Sequence, residues 1–290
     1  MTWISSAPRA LFWVVLFFSL PAAAQTTQAE RDAAENRQRT SLSYGKDRNI
    51  KVHFRGRAGN IELKASNQQG QGEAVTYFQK GRGYSAFDRE KQVFKWETSI
   101  PYTLNRLAGH IQKTAPNMRA EIPNGAELDF NMSINSVGYG SLNFADLNIS
   151  RFRARASYGD MDINFPTVNQ SIVRGRATFG LLAGDLEINN LANLKADKIK
   201  INGGVGELSV DFGPKILIDT QIKLDLDIGK AALTFPRGTQ VLIRGTSRDL
   251  TQYGFVKNDK TWEPESFSPN SPKLEIVMKG PVGELAVDWK

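Results

Sequence analysis

The chain has 290 residues, contains no cysteine and carries a formal net charge of +7 at pH 7. The lack of cysteine excludes disulfides, thiol catalysis and cysteine metal ligands. A chain of this length buries enough apolar surface to be stable without cross-links. Lys and Arg outnumber Asp and Glu most clearly between Lys51 and Arg119. In a strand-rich segment we interpret this excess as a solvated face; the alternative is a patch that meets anionic lipid, lipopolysaccharide or nucleic acid.

The N-terminus has the pattern of an export signal. Arg9 precedes an apolar run over residues 10–20 that is too short to span a bilayer, and Ala22 to Ala24 supply small residues for cleavage. We therefore predict a signal peptide over residues 1–24, with an uncleaved N-terminal anchor as the alternative. The mature protein is then exported to the periplasm or cell surface of a bacterium, with no transmembrane segment. Residues 25–45 contain few large apolar side chains and are predicted to be a flexible polar leader.

Residues 46–290 are predicted to form one all-β domain, because apolar and polar residues alternate through most of this range. A short unit recurs in it, in which a glycine is followed by polar, apolar, any and apolar residues. A period of about twenty residues is typical of a stack of repeats in which each unit pairs with its neighbours. An ordinary β-sandwich with glycine turns is the alternative. The glycines that begin the units are Gly59, Gly140, Gly159, Gly184, Gly206, Gly229 and Gly283.

The interval between the last two of these glycines is longer than one period. It contains the segment 246–272, which is rich in aromatic residues and proline. We predict that this segment caps the end of the core, since terminal repeats need a cover. A recognition loop is the alternative, with Tyr253, Phe255 and Trp262 as surface-binding residues.

Three arginines, Arg151, Arg153 and Arg155, alternate along one predicted strand beside Phe152. They would share one face and could bind an anionic glycan or a phosphate group. The alternative interpretation is a plain outward face on which the aliphatic parts of the arginines cover the sheet.

Four acids directly follow repeat glycines: Asp160, Asp185, Glu207 and Glu284. Units stacked in register would align them in a column, as in enzymes that cleave sugars or in calcium sites. Ser141 and Lys230 interrupt that column, so solvated acids are the favoured interpretation. The two histidines, His53 and His110, are far apart and suggest no zinc site. No catalytic, cofactor-binding or metal-binding residue is assigned.

Two stretches carry a resemblance to a known family. Residues 189–213, with Asn189-Asn190-Leu191 and Ile201-Asn202-Gly203-Gly204, and the closing residues 274–289 resemble the toast-rack β-solenoid family. This family includes LiaF-like C-terminal domains and adhesin-type domains of unknown function. The resemblance implies a single-layer, right-handed β-solenoid in the cell envelope that makes protein contacts. The chain departs from LiaF-like proteins in lacking their transmembrane helices.

The function predicted from the sequence is that of an exported, non-catalytic envelope protein. It would be structural, or would bind a protein partner or an anionic surface polymer, with no nucleic acid and no cofactor. The alternative is a polysaccharide-active β-helix enzyme that uses stacked carboxylates such as Asp160 and Asp185.

Overall fold

The computed structural model describes residues 37–78, 83–98, 117–280 and 283–290. The predicted signal peptide, residues 25–36 of the leader and His110 lie outside them. The described chain is all-β, as predicted, and contains two short 3₁₀ helices, Leu191–Leu194 and Thr251–Tyr253. The strands are β1 (Arg37–Ser43), β2 (Asn49–Gln69), β3 (Gln71–Tyr77), β4 (Gly83–Asp88), β5 (Val93–Thr98), β6 (Asn117–Asn124), β7 (Glu127–Asn143), β8 (Asn148–Tyr158), β9 (Met161–Asn164), β10 (Arg176–Ala183), β11 (Leu186–Asn189), β12 (Lys198–Asp211), β13 (Thr220–Phe235), β14 (Gln240–Arg244), β15 (Phe255–Asn258), β16 (Thr261–Pro264), β17 (Lys273–Lys279) and β18 (Glu284–Trp289).

Parallel pairing arranges these strands in two ladders. The long strands β2, β7, β12 and β13 contribute their first part to one ladder and their second part to the other. What we call the first ladder has the order β5, β2, β7, β8, β10, β12, β13, β17, β14. The second ladder has the order β6, β2, β7, β9, β11, β12, β13, β18. From β7 to β13 the chain therefore passes through both ladders in each repeat and then moves on to the next strand position in each.

Antiparallel strands extend both ladders. In the second ladder, β3 pairs with β6 and β1 pairs with β3. In the first ladder, β4 pairs with β5, and the β15–β16 hairpin pairs with β14. The prediction of a flexible leader as far as residue 45 is therefore wrong for residues 37–43, which form β1. The polar composition was misleading because β1 is ordered by the backbone of β3 and by the burial of Leu42.

The alternate apolar residues of the strands form the core. Its largest members are aromatic: Phe54 packs edge-on against Phe130, and Phe152 lies against Phe179 with ring centroids 4.8 Å apart. Burial of each such ring contributes about 2–3 kcal/mol, and aromatic contacts of this geometry add to it. The rings succeed one another from strand to strand, so each repeat buries its apolar face only when its neighbours are in place.

A column of glycines lies at the bend between the two ladders. Gly159, Gly184, Gly206 and Gly229 all have positive φ, between 116° and 152°. A Cβ built on any of them would overlap the carbonyl oxygen of the glycine one repeat earlier. These positions therefore accept only glycine, for reasons of both backbone conformation and space.

One of the predicted repeat units is wrong, because Gly138 and not Gly140 belongs to the glycine column. Gly59 pairs with Gly138, and the carbonyl oxygen that faces Gly159 also belongs to Gly138. Gly140 instead pairs with Met161, at a position where other repeats place an apolar residue that faces the core. The unit therefore begins two residues earlier than predicted, and Tyr139, not Ser141, stands in line with the acids.

Replacement of Gly184 by alanine tests the column. The new Cβ would require positive φ and would overlap the Gly159 oxygen, so we expect unfolding free energy to fall by about 3 kcal/mol or more in urea denaturation. Gly175 is the matched control, since its φ is +77° and nothing lies within 4 Å of a Cβ built there. Gly175→Ala should cost only about 1–2 kcal/mol. Equal losses for the two variants would show that the close backbone contact has no role.

Candidate functional site

The three arginines predicted from the sequence lie together on β8. Arg151, Arg153 and Arg155 are exposed, while Phe152 and Ala154 between them are buried. This alternation follows from the period of two in a β-strand. The structure therefore places all three guanidinium groups on the outward side of the first ladder.

Strand pairing brings further cations alongside Arg153. Across the ladder, Lys95 pairs with His53, His53 with Asn131, and Asn131 with Arg153. On the other side of Arg153, Thr178 is followed by Lys200 and then by Lys223. Neighbouring strands are about 4.8 Å apart, so Lys200 and Lys223 are adjacent and Arg153 lies about 10 Å from Lys200. We call the outward cations that β2, β5, β8, β10, β12 and β13 contribute to the first ladder the basic face; its members are Lys51, Arg55, Lys95, Arg151, Arg153, Arg155, Arg176, Lys198, Lys200 and Lys223.

Most of these cations make no ion pair with another described residue. Arg151 pairs with Asp129 at 3.7 Å. Among the described residues, Arg153, Lys200 and Lys223 have no carboxylate within ion-pair distance. A Cβ built on Gly180 would lie 3.3 Å from Cγ of Arg155, so the aliphatic part of that arginine lies across the neighbouring strand. On the basic face, the aliphatic parts of arginine side chains thus pack on the sheet, while the charges of most cations are not neutralised by a described carboxylate.

The aromatic residues of segment 246–272 are not arranged for surface binding. Phe255 is 1% exposed and Trp262 is 6% exposed, so the prediction of these two as surface-binding residues is wrong. Their rings lie on strands of a hairpin whose inward side packs on the core, where a large apolar ring is most stable. Loop position and aromatic character alone did not distinguish a cap from a binding loop.

Tyr253 has a structural partner. Its hydroxyl donates to the carbonyl of Leu285 at 3.0 Å, and Nε1 of Trp289 donates to the carbonyl of Tyr253 at 2.8 Å. Leu285 and Trp289 belong to β18, the last strand of the second ladder. Tyr253 therefore joins the segment to β18 and satisfies a carbonyl at a strand edge, which would otherwise be open to pairing.

The column of acids also has a structural role. The backbone N–H of Asp185 donates to Oδ1 of Asp160, and the N–H of Glu207 donates to Oδ1 of Asp185, both at 3.2 Å. Lys230 lies between Glu207 and Glu284, at 3.7 and 3.8 Å. These carboxylates bind backbone groups and a lysine of neighbouring repeats. Within the described ranges, no three His, Asp or Glu side chains are grouped closely enough to hold a metal ion.

A different carboxylate pair is electrostatically strained. Asp162 pairs with Glu187 on the neighbouring strand. Partial burial, and then the charge of Glu187, raise the pKa of Asp162 above its ordinary value of 3.8, although a hydrogen bond with Asn189 opposes the shift. An acid with a raised pKa destabilises the folded state once it is ionised. That cost is present at neutral pH and disappears as the pH falls through the raised pKa.

Asp162→Asn should therefore stabilise the protein slightly at pH 7. We expect a gain of no more than about 0.5 kcal/mol, because Asp162 stays in contact with water despite this partial burial, and water screens the pair. The gain should vanish at about pH 3, where the wild-type carboxyl is itself protonated. Thermal melts of Asp162→Asn, Glu187→Gln and the double variant measure the gain in stability. The double variant should be little more stable than either single variant. A gain that persists in acid would show that side-chain shape, not charge, is responsible.

Comparison with known proteins gives structural neighbours only. One is described as a "putative cell adhesion protein" from Clostridium sporogenes, with 9% identity, a TM-score of 0.37, and coverage of 88% of this chain and 100% of the other. Another is a "putative adhesin" from Bacteroides fragilis, with 13% identity, a TM-score of 0.38, and coverage of 88% and 98%. No protein-family model and no curated protein matches the chain. The resemblance to the toast-rack family therefore remains a prediction.

One further finding concerns membranes. In the part of the chain that the structure describes, no helix is long and apolar enough to cross a bilayer.

Proposed function

We propose that this protein is an exported, non-catalytic module of the bacterial cell envelope whose basic face binds an anionic surface polymer. In this proposal the two parallel ladders are the sides of a right-handed β-solenoid of the toast-rack type. The export pattern of residues 1–24 supports the location. The observation that carries the proposal is the row of Arg153, Lys200 and Lys223, which lie in register and form no ion pair within the described part of the chain.

The spacing of these cations suits a polymer better than a small anion. Side chains on neighbouring strands are about 4.8 Å apart, and alternate residues of one strand are about 7 Å apart. Cations therefore recur in two directions over several strands, so successive negative groups of one chain can each meet a cation. Single exposed charges contribute little, but several contacts to one polymer act together.

The polysaccharide-active alternative has less support. It would require free carboxylates in the column of acids, whereas Asp160 and Asp185 accept hydrogen bonds from the backbone of the next repeat. Loss of these side chains would change the stability of the stack. Non-catalytic binding is therefore the function that the geometry supports best.

Binding should depend on the central cations of the basic face. The variant Arg153→Gln with Lys223→Gln removes two of them and keeps the aliphatic stems. We expect its dissociation constant for polygalacturonate or long-chain polyphosphate to rise about tenfold at low salt, which corresponds to about 1.4 kcal/mol. The two polymers distinguish carboxylate from phosphate recognition. Binding by both the wild type and the variant should weaken as salt increases.

A matched control makes this result specific. Arg237→Gln with Lys260→Gln changes the net charge equally at exposed positions outside the basic face. This control should bind as the wild type does, and neutral dextran should not bind any form. Equal weakening by both double variants would indicate a general effect of net charge. No polyanion binding by the wild type would contradict the proposal and favour a protein partner.

A further inference from the structure

A groove lies on the outward side of the second ladder, away from the basic face. It has a volume of about 750 Å³, which is within the usual range for ligand sites. Strands β3, β6, β2 and β7 form its floor, with β1 at one end and the residues around β9 at the other. Neither the arginine pattern nor the acid column in the sequence indicated it, since its lining comes from six separate segments.

The floor of the groove is built from two rows in strand register. In one row Tyr77 pairs with Asn117, Asn117 with Asn60, and Asn60 with Tyr139. Three strand steps of about 4.8 Å separate the two tyrosines, so their Cα atoms lie about 14 Å apart. In the other row Arg119 pairs with Glu62, Glu62 with Ser141, and Ser141 with Asp162.

Hydrogen bonds hold these side chains in place. Nδ2 of Asn60 donates to Oδ1 of Asn117 at 2.7 Å, and Nε of Arg119 donates to Oε2 of Glu62 at 2.7 Å. The guanidinium of Arg37 lies 5.9 Å from the centre of the Tyr77 ring, which is 38% exposed. The groove is therefore organised before any ligand binds, which reduces the entropy lost on binding.

Its chemistry favours an uncharged ligand. Arg37 lies at one end and Asp160 and Asp162 at the other, so a ligand with one sign of charge would meet repulsion at one end. Arg119 is already neutralised by Glu62. Between the ends are amides, a hydroxyl and two tyrosines, which offer donors, acceptors and rigid amphipathic surfaces. This combination matches a ligand that has many hydroxyl groups and apolar ring faces.

We propose that this groove binds an uncharged oligosaccharide, with Tyr77 and Tyr139 against the sugar rings at either end and Asn60 and Asn117 as hydrogen-bonding partners between them. The distance of about 14 Å between the tyrosines fits a short chain of sugars and not a single sugar. The site is separate from the basic face and does not depend on the function proposed for it.

Calorimetric titration of the mature protein with cellotriose, maltotriose and chitotriose tests the proposal. We expect at least one trisaccharide to bind and Tyr139→Ala to weaken it about tenfold. Ser141→Gln should weaken binding similarly, because it fills the groove from an exposed position and leaves the core intact. Tyr158→Ala is the matched control, since this tyrosine is 48% exposed on β8 outside the groove, and it should bind as the wild type does.

The outcomes separate the two proposed sites. Arg153→Gln with Lys223→Gln should leave trisaccharide binding unchanged, and Tyr139→Ala should leave polyanion binding unchanged. The oligosaccharide proposal is overturned if no trisaccharide binds at millimolar concentration, or if both groove variants bind as tightly as the wild type. Displacement of the sugar by a short peptide that binds more tightly would also overturn it and would assign the groove to protein recognition.

Discussion

The close contact between backbones in the glycine column is the constraint on which the structure depends. Each of Gly159, Gly184, Gly206 and Gly229 lies so near the carbonyl oxygen of the preceding repeat that no side chain fits. A shift of one residue would place a larger residue in this contact and would also turn apolar side chains outward. The column therefore fixes the register of both ladders, and with it the neighbours of every outward side chain.

That register gives the two ladders different surfaces. On the first ladder, Arg153, Lys200 and Lys223 fall in one row, and none of them forms an ion pair with another described residue. On the second ladder, charges of both signs are mixed: Arg119–Glu62 and Lys230–Glu207 form ion pairs, while the like charges of Asp162 and Glu187 lie on neighbouring strands. Paired charges have little long-range field, whereas a row of one sign attracts a polyanion. The difference between the faces is thus a consequence of which strands become neighbours.

The sequence was sufficient for the all-β class, the repeat and the outward direction of the arginines on β8, because these depend on local alternation. It was not sufficient for features that depend on pairing. Gly138 and Gly140 both fit the spacing, and only the partner strand shows which one joins the column. Lys200 and Lys223 are remote in sequence from Arg153, and the groove residues are more scattered still. Phe255 and Trp262 suit a buried cap as well as a binding loop until their burial is known.

Lysine acetylation in the presence and absence of polygalacturonate tests whether the basic face is the binding surface, with modification rates measured for each lysine by mass spectrometry. If the basic face binds the polymer, Lys95, Lys200 and Lys223 should react more slowly when it is present. Lys257 and Lys260, on the hairpin of segment 246–272, should react at unchanged rates. Uniform rates, or protection confined to the hairpin, would contradict the assignment of the basic face as the binding surface.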